Sequence, residues 1–157
     1  MEVKCVDIDE KRERETAYKA ENGRYYSSKE AYIQIKEENK RRKWATDILI
    51  ELLGFNGYKI IPSILFKVIA SYKEIGYEAL CKTITDQKKS IERAVKTKNF
   101  KNDFAKIRYV EAIINNNINN INNSLEKERR QKDIIIEDVT LNNPKQKQKD
   151  ISRFLEA

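Results

Sequence analysis

Histidine is absent from the 157 residues, and cysteine occurs only at Cys5 and Cys81. Without histidine there is no Ser–His or Cys–His nucleophile pair, no imidazole metal ligand and no usual general base. Two cysteines make neither a disulfide framework nor the roughly four-ligand set of a structural zinc site. Glycine (4) and proline (2) are scarce, which suits long helices and argues against a many-turned β architecture. Gly54 and Gly57 lack the Lys-Ser/Thr context of a phosphate loop. No apolar run approaches the roughly 20 residues that cross a bilayer, and no stretch resembles a signal peptide. The carboxylates of "DIDE" (7–10) and of Glu37-Glu38 stand side by side and single out no convergent two-metal set. These absences lead us to expect no enzyme, no cofactor, no metal and no membrane contact, in a reducing cytosol.

What the chain has is charge, with isoleucine, lysine and asparagine prominent. Apolar residues make up 39% and charged residues 36%, enough of each for a folded core under a polar surface. The net charge of +7 is concentrated. Between Cys81 and Val110 nine basic residues stand against three acidic ones, so this segment alone supplies +6. Such a concentration steers a protein toward phosphate or an acidic partner, although charge runs are also ordinary solvated helix faces.

Periodicity predicts a mostly α fold, a bundle of about four helices with a small N-terminal β-hairpin. We divide the chain into a hairpin appendage (1–27), a helical domain (28–131) and a C-terminal tail (132–157). Residues 16–26 read as a hairpin through "ENGR", because Asn-Gly tolerates the positive φ angles of a type I′ turn. Ser27 with Glu30 fits a capping box, starting a first helix near Ser28 that Gly54 stops after Leu53. The stretch "KEENKRRK" in its first half is almost wholly polar and is expected to project or bridge. Pro62 suits the first position of a second helix that Gly76 ends near Ile75. A third helix, about Glu78 to Thr97, places Leu80, Ile84, Ile91 and Val95 inward. The fourth, about Asp103 to Gln131, spaces Ile107, Val110, Ile114, Ile118, Ile121 and Leu125 by 3 or 4 residues. Beyond it, "DIIIEDVTL" reads as a docked strand or tail, "NNPKQKQK" as a linker and "DISRFLEA" as a short helix.

Two stretches resemble known families. "RYYSSKEAY" (24–32) resembles the aromatic-Cys-Ser-x-x-Cys helix start of small phage and bacterial zinc modules, with Ser27 and Ala31 in the cysteine positions. Cys5 matches a first knuckle cysteine and Ile8 stands at the second, so the resemblance implies a metal-less derivative packed by Tyr18, Tyr25, Tyr26 and Tyr32. "YVEAIINNN" (109–117) resembles the YxxxIxxxW element of the DnaD-like replication proteins of low-GC Gram-positive bacteria and their phages. Tyr109 and Ile113 match, and Asn117 stands in place of the tryptophan. This second likeness spans roughly residues 57–126 and implies a helical domain involved in DNA binding and self-association.

The two together look like a phage or mobile-element protein. The expected function is a non-enzymatic adaptor that binds nucleic acid or a host nucleoprotein complex through Lys88, Lys89, Arg93, Lys96, Lys98, Lys101, Lys106 and Arg108. Lysine-rich faces suit backbone phosphate, since an ammonium is a point charge without a planar fork. The alternative is an anti-CRISPR or other anti-defence inhibitor that docks on a host effector protein or protein–RNA complex. A third reading is a homo-oligomer built on the seam from Ile107 to Leu125.

Overall fold

The computed structural model describes residues 1–141. The expected class holds: four helices and two small antiparallel two-stranded sheets lie among the described residues. The chain divides into a compact unit of Met1–Ile118 and a second that begins at Asn119.

The N-terminal region holds two hairpins where one was expected. Strand β1 (Glu2–Lys4) pairs with β2 (Lys11–Glu13), with Val3 opposite Arg12. Strand β3 (Tyr18–Lys19) pairs with β4 (Tyr25–Tyr26). The sheets are joined where Cys5 bridges Tyr25 and the Val6 N–H donates to the Tyr25 carbonyl at 2.9 Å. The β3–β4 turn is not type I′. Gly23 alone has a positive φ, 77°, and its N–H donates to the Ala20 carbonyl at 2.9 Å while the Ala20 N–H donates to Arg24. A tight turn followed by a left-handed glycine makes a three-residue hairpin loop, so the turn needs only one residue that tolerates positive φ.

Helix α1 (Lys29–Leu53) starts one residue later than the capping box required. Ser28, not Ser27, is the cap, its Oγ accepting the Ala31 N–H at 3.1 Å. Glu30 then stands too early to complete a box, and Ser27 is committed elsewhere: its N–H donates to Asp7 Oδ1 at 2.8 Å and its hydroxyl to Asp7 Oδ2. At the other end Gly54 (φ 77°) donates to Glu51 and the Phe55 N–H donates to Ile50 at 2.9 Å, a Schellman stop that turns Phe55 into the core.

Helix α2 (Ser63–Ala70) has Pro62 as its cap residue rather than its first residue, and it ends at Ala70. Ser71–Ile75 continue as turns. Tyr72, in those turns, remains buried and its hydroxyl donates to Asn115 Oδ1 at 2.7 Å. Helix α3 (Tyr77–Thr97) buries Leu80, Ile84 and Ile91 as expected, together with Thr83 and Ala94, and leaves Val95 half-buried. Its cap residue, Gly76, has no side chain to offer. Glu38 of α1 supplies the acceptor instead, taking the Tyr77 N–H at 3.3 Å while pairing with Arg41 at 3.1 Å. The polar first half of α1 therefore does not project: Glu38 and Arg41 are half-buried against α3.

Helix α4 runs Asp103–Leu141, well past the expected end at Gln131, so "DIIIEDVTL" continues the helix rather than forming a strand. Asn102 caps it, its Oδ1 accepting the Ala105 N–H at 2.8 Å. Ile107, Val110, Ile114, Ile118 and Leu125 are buried, whereas Ile121 is half-buried. From Ile107 to Ile118 the seam is buried within one chain and has almost no exposed area to offer a second copy. The anticipated linker and the short helix at "DISRFLEA" lie outside the described residues.

Candidate nucleic-acid interface

On α3 the apolar and basic residues separate cleanly. Lys89, Arg93 and Lys96 lie about 160–220° around the helix from buried Leu80, so they form one outward stripe. All three are exposed, as are Lys88, Lys98 and Lys101. Among the described residues no carboxylate lies within ion-pair reach of Lys88, Lys89, Arg93, Lys96 or Lys101. Glu92 stands among them in sequence and offsets part of their charge, but the exposed cations outnumber it, which leaves a positive field that a polyanion can relieve.

The other three predicted residues have local duties. Lys106 is half-buried; its ammonium donates to the Leu53 carbonyl at 3.1 Å and sits 5.2 Å from the Phe55 ring centre. It thus neutralises the negative C-terminal end of α1, which makes it a structural cation rather than a free contact. Lys98 lies 4.1 Å over the Tyr109 ring, and that ring meets Phe100 at 5.6 Å. Arg108 pairs with Glu111 at 2.6 Å and stacks 5.3 Å from Phe104, which is itself 53% exposed. Lys98 and Arg108 keep accessible charge, but each already has a partner. The positions that resemble the DnaD-like element are also accounted for locally: Ile113 is half-buried and Asn117 Nδ2 donates to the Ile113 carbonyl at 2.7 Å.

At the N-terminus, hydrogen bonds tie the loop after β1 to the residues that open α1. Asp7 joins the β1–β2 loop to the residue before the α1 cap through both Ser27 donors. Burial raises the Asp7 carboxyl, but the Ser27 hydroxyl and N–H and the Arg12 charge outweigh it, leaving the group below the usual carboxylate range. A depressed folded pKa stabilises the fold above the unfolded pKa, and that contribution is lost as pH falls through the folded value. The carboxylate is solvent-accessible and its interactions are screened, so replacing Asp7 by Ala should destabilise the protein by no more than about 1 kcal/mol at neutral pH. The difference from wild type should begin to narrow near pH 4 and shrink further as pH falls through the lower folded value. Denaturant titrations at both pH values measure it, and a pH-independent difference would refute the assignment.

Cys81 offers no alternative chemistry. Burial pushes its thiol from the ordinary 9.0 up to about 11, with Arg41 lowering it and Glu38 and Glu78 raising it, and the thiol donates to the Arg41 carbonyl at 3.3 Å. Its thiolate fraction near pH 8 should be about 100-fold below that of a free cysteine. Peptide-resolved alkylation rates should show that suppression, and ordinary reactivity at Cys81 would contradict it.

Among the described residues no group of three or more Cys, Asp or Glu side chains could hold a metal, and no helix is long and apolar enough to cross a membrane. No family model, curated protein or solved structure matches the chain. The arrangement defines a class by fold: a small, mostly helical protein with an exposed basic stripe on α3.

Proposed function

We propose that the protein is a non-enzymatic adaptor that binds nucleic acid, free or within a nucleoprotein complex, through the outward face of α3. The observation that carries this reading is the stripe of Lys89, Arg93 and Lys96, exposed and without ion-pair partners among the described residues, opposite the buried face of the same helix, with Lys88 and Lys101 also exposed. The two lysines suit contact with backbone phosphates rather than base edges, and Arg93 is the one member of the stripe with a fork. The resemblances noted in the sequence support placing this adaptor in a phage or mobile element of a low-GC bacterium, acting in the host cytoplasm.

A second reading draws on a different surface. Phe66 of α2 is 43% exposed and lines a shallow groove with Arg42 and Thr46 of α1. Lys43 and Asp47 also line it, and aromatic and arginine side chains are characteristic anchors of protein interfaces. This favours, as the alternative, an anti-defence inhibitor that docks a host effector protein through α1 and α2.

Titration of the protein against single-stranded DNA, duplex DNA and RNA at low salt separates the two. Binding that falls log-linearly with salt supports the adaptor. Absence of binding to all three, with a nuclease-resistant host partner recovered by pull-down, supports the inhibitor.

A further inference from the structure

The stretch "KEENKRRK" carries a second basic surface that the concentration of charge in α3 obscures. A groove of about 350 Å³ opens between the β3–β4 turn and α1. Its wall includes Asn22 and Tyr26 from the hairpin and Tyr32, Lys36, Asn39 and Lys43 from α1. Tyr32 lies ring to ring with Tyr26 at 5.0 Å and with Tyr18 at 5.6 Å, which fixes its side chain, and the Lys36 ammonium lies over the same ring at 5.7 Å, so a base that stacks there displaces that ammonium toward its own phosphate. Asn22 Nδ2 donates to the Tyr26 hydroxyl at 3.2 Å and so holds the turn against this aromatic pair. Among the described residues, no carboxylate lines the groove. Lys40, also at its edge, lies 3.6 Å from Glu37, but Lys36 and Lys43 have no acidic partner among the described residues.

Position on the helix makes this surface separate from α3. The side of α1 carrying Glu38, Arg41 and Ala45 meets α3. Lys36 and Lys43 fall about 160–180° around α1 from Ala45. The groove therefore opens on the side of α1 away from α3.

We propose that this groove binds one nucleotide of a single-stranded nucleic acid, with its phosphate between Lys36 and Lys43 and its base against Tyr32. The pairing of a fixed aromatic ring with unpaired ammonium groups is the chemistry of single-strand binding: every base has a face that stacks, and every linkage has a phosphate. A duplex presents phosphates but no free base face, so the groove discriminates between the two forms. The site stands without the α3 face, and it goes beyond it by specifying the strandedness of the ligand.

The test uses the full chain and a short single-stranded oligonucleotide containing 5-bromodeoxyuridine. Irradiation should attach it to the tryptic peptide of residues 30–36, which contains Tyr32. The combined Lys36→Gln, Lys43→Gln variant keeps helix-forming residues at exposed positions; its Tyr32-containing tryptic peptide runs from 30 to 40, and that peptide should carry no crosslink while the oligonucleotide binds about tenfold more weakly. Tyr32→Leu should lower single-strand affinity by a similar factor and leave duplex affinity unchanged. The groove assignment is overturned if wild type binds the oligonucleotide with no crosslink in this peptide, or if the lysine variant binds as wild type does. It is also overturned if poly-glutamate displaces the oligonucleotide at equal charge, since that marks a general anion surface. A crosslink at Tyr32 that survives loss of the α3 cations, with affinity and salt slope unchanged, upholds the groove while removing the α3 reading. Binding that needs α3 but never labels Tyr32 does the reverse.

Discussion

Ile118→Asp should melt far below wild type, by about 15 °C or more in a circular-dichroism scan. Ile118 is 2% exposed, and with Ile107, Val110 and Ile114 it forms the buried edge of α4 within the Met1–Ile118 unit. Aspartate at this position either buries an unpaired charge or pulls the last turns of the seam into water. Each outcome costs about 4 kcal/mol or more, a large share of the 5–15 kcal/mol that holds a typical domain together. Asn116→Asp is the matched control, two residues away on the same helix but exposed. It introduces the same charge and should change stability by no more than about 0.5 kcal/mol. Equal melting of the two variants would mean that the isoleucine spacing does not define the buried face.

The second large effect concerns binding. Replacing Lys89, Arg93 and Lys96 together by Gln removes three charges without removing helix formers. If each contacts a phosphate of a single strand, each adds roughly 0.7 to the slope of log affinity against log salt. The variant's slope should be shallower by about 2, so its affinity at 0.1 M salt should fall about 100-fold relative to wild type. Circular dichroism should remain that of wild type, because all three side chains are exposed and without partners. Lys106→Gln should behave differently. Its ammonium serves the Leu53 carbonyl, so the variant should lose stability more than salt dependence. A triple variant that binds with unchanged slope would show the α3 stripe to be ordinary solvated surface.

Why some of these residues were legible in the sequence and others were not follows from the range of the forces involved. The helices were readable because apolar spacing in α3 and α4 repeats every 3 or 4 residues, and that pattern depends only on the geometry of one helix. The Gly54 stop was readable for the same reason: a left-handed residue after an apolar run is a local requirement. The stripe of Lys89, Arg93 and Lys96 was visible too, since one helix sets its register. Errors of one residue arose where two local solutions compete. Ser27 and Ser28 both suit a cap, and what separates them is Asp7, twenty residues away in sequence.

The sequence by itself determined the mostly helical class, the buried faces of α3 and α4 and the outward basic stripe, because each follows from periodicity within a single segment. Only the tertiary structure decided the rest. It turned Glu38 into the cap of α3, gave Lys106 to the end of α1 and set Tyr26 beside Tyr32 to make a groove with Lys36 and Lys43. Each of these joins residues from different elements. Orphan N–H groups, helix-end carbonyls and ring faces take whichever partner the packing brings within a few ångströms, and no spacing along the chain encodes that distance.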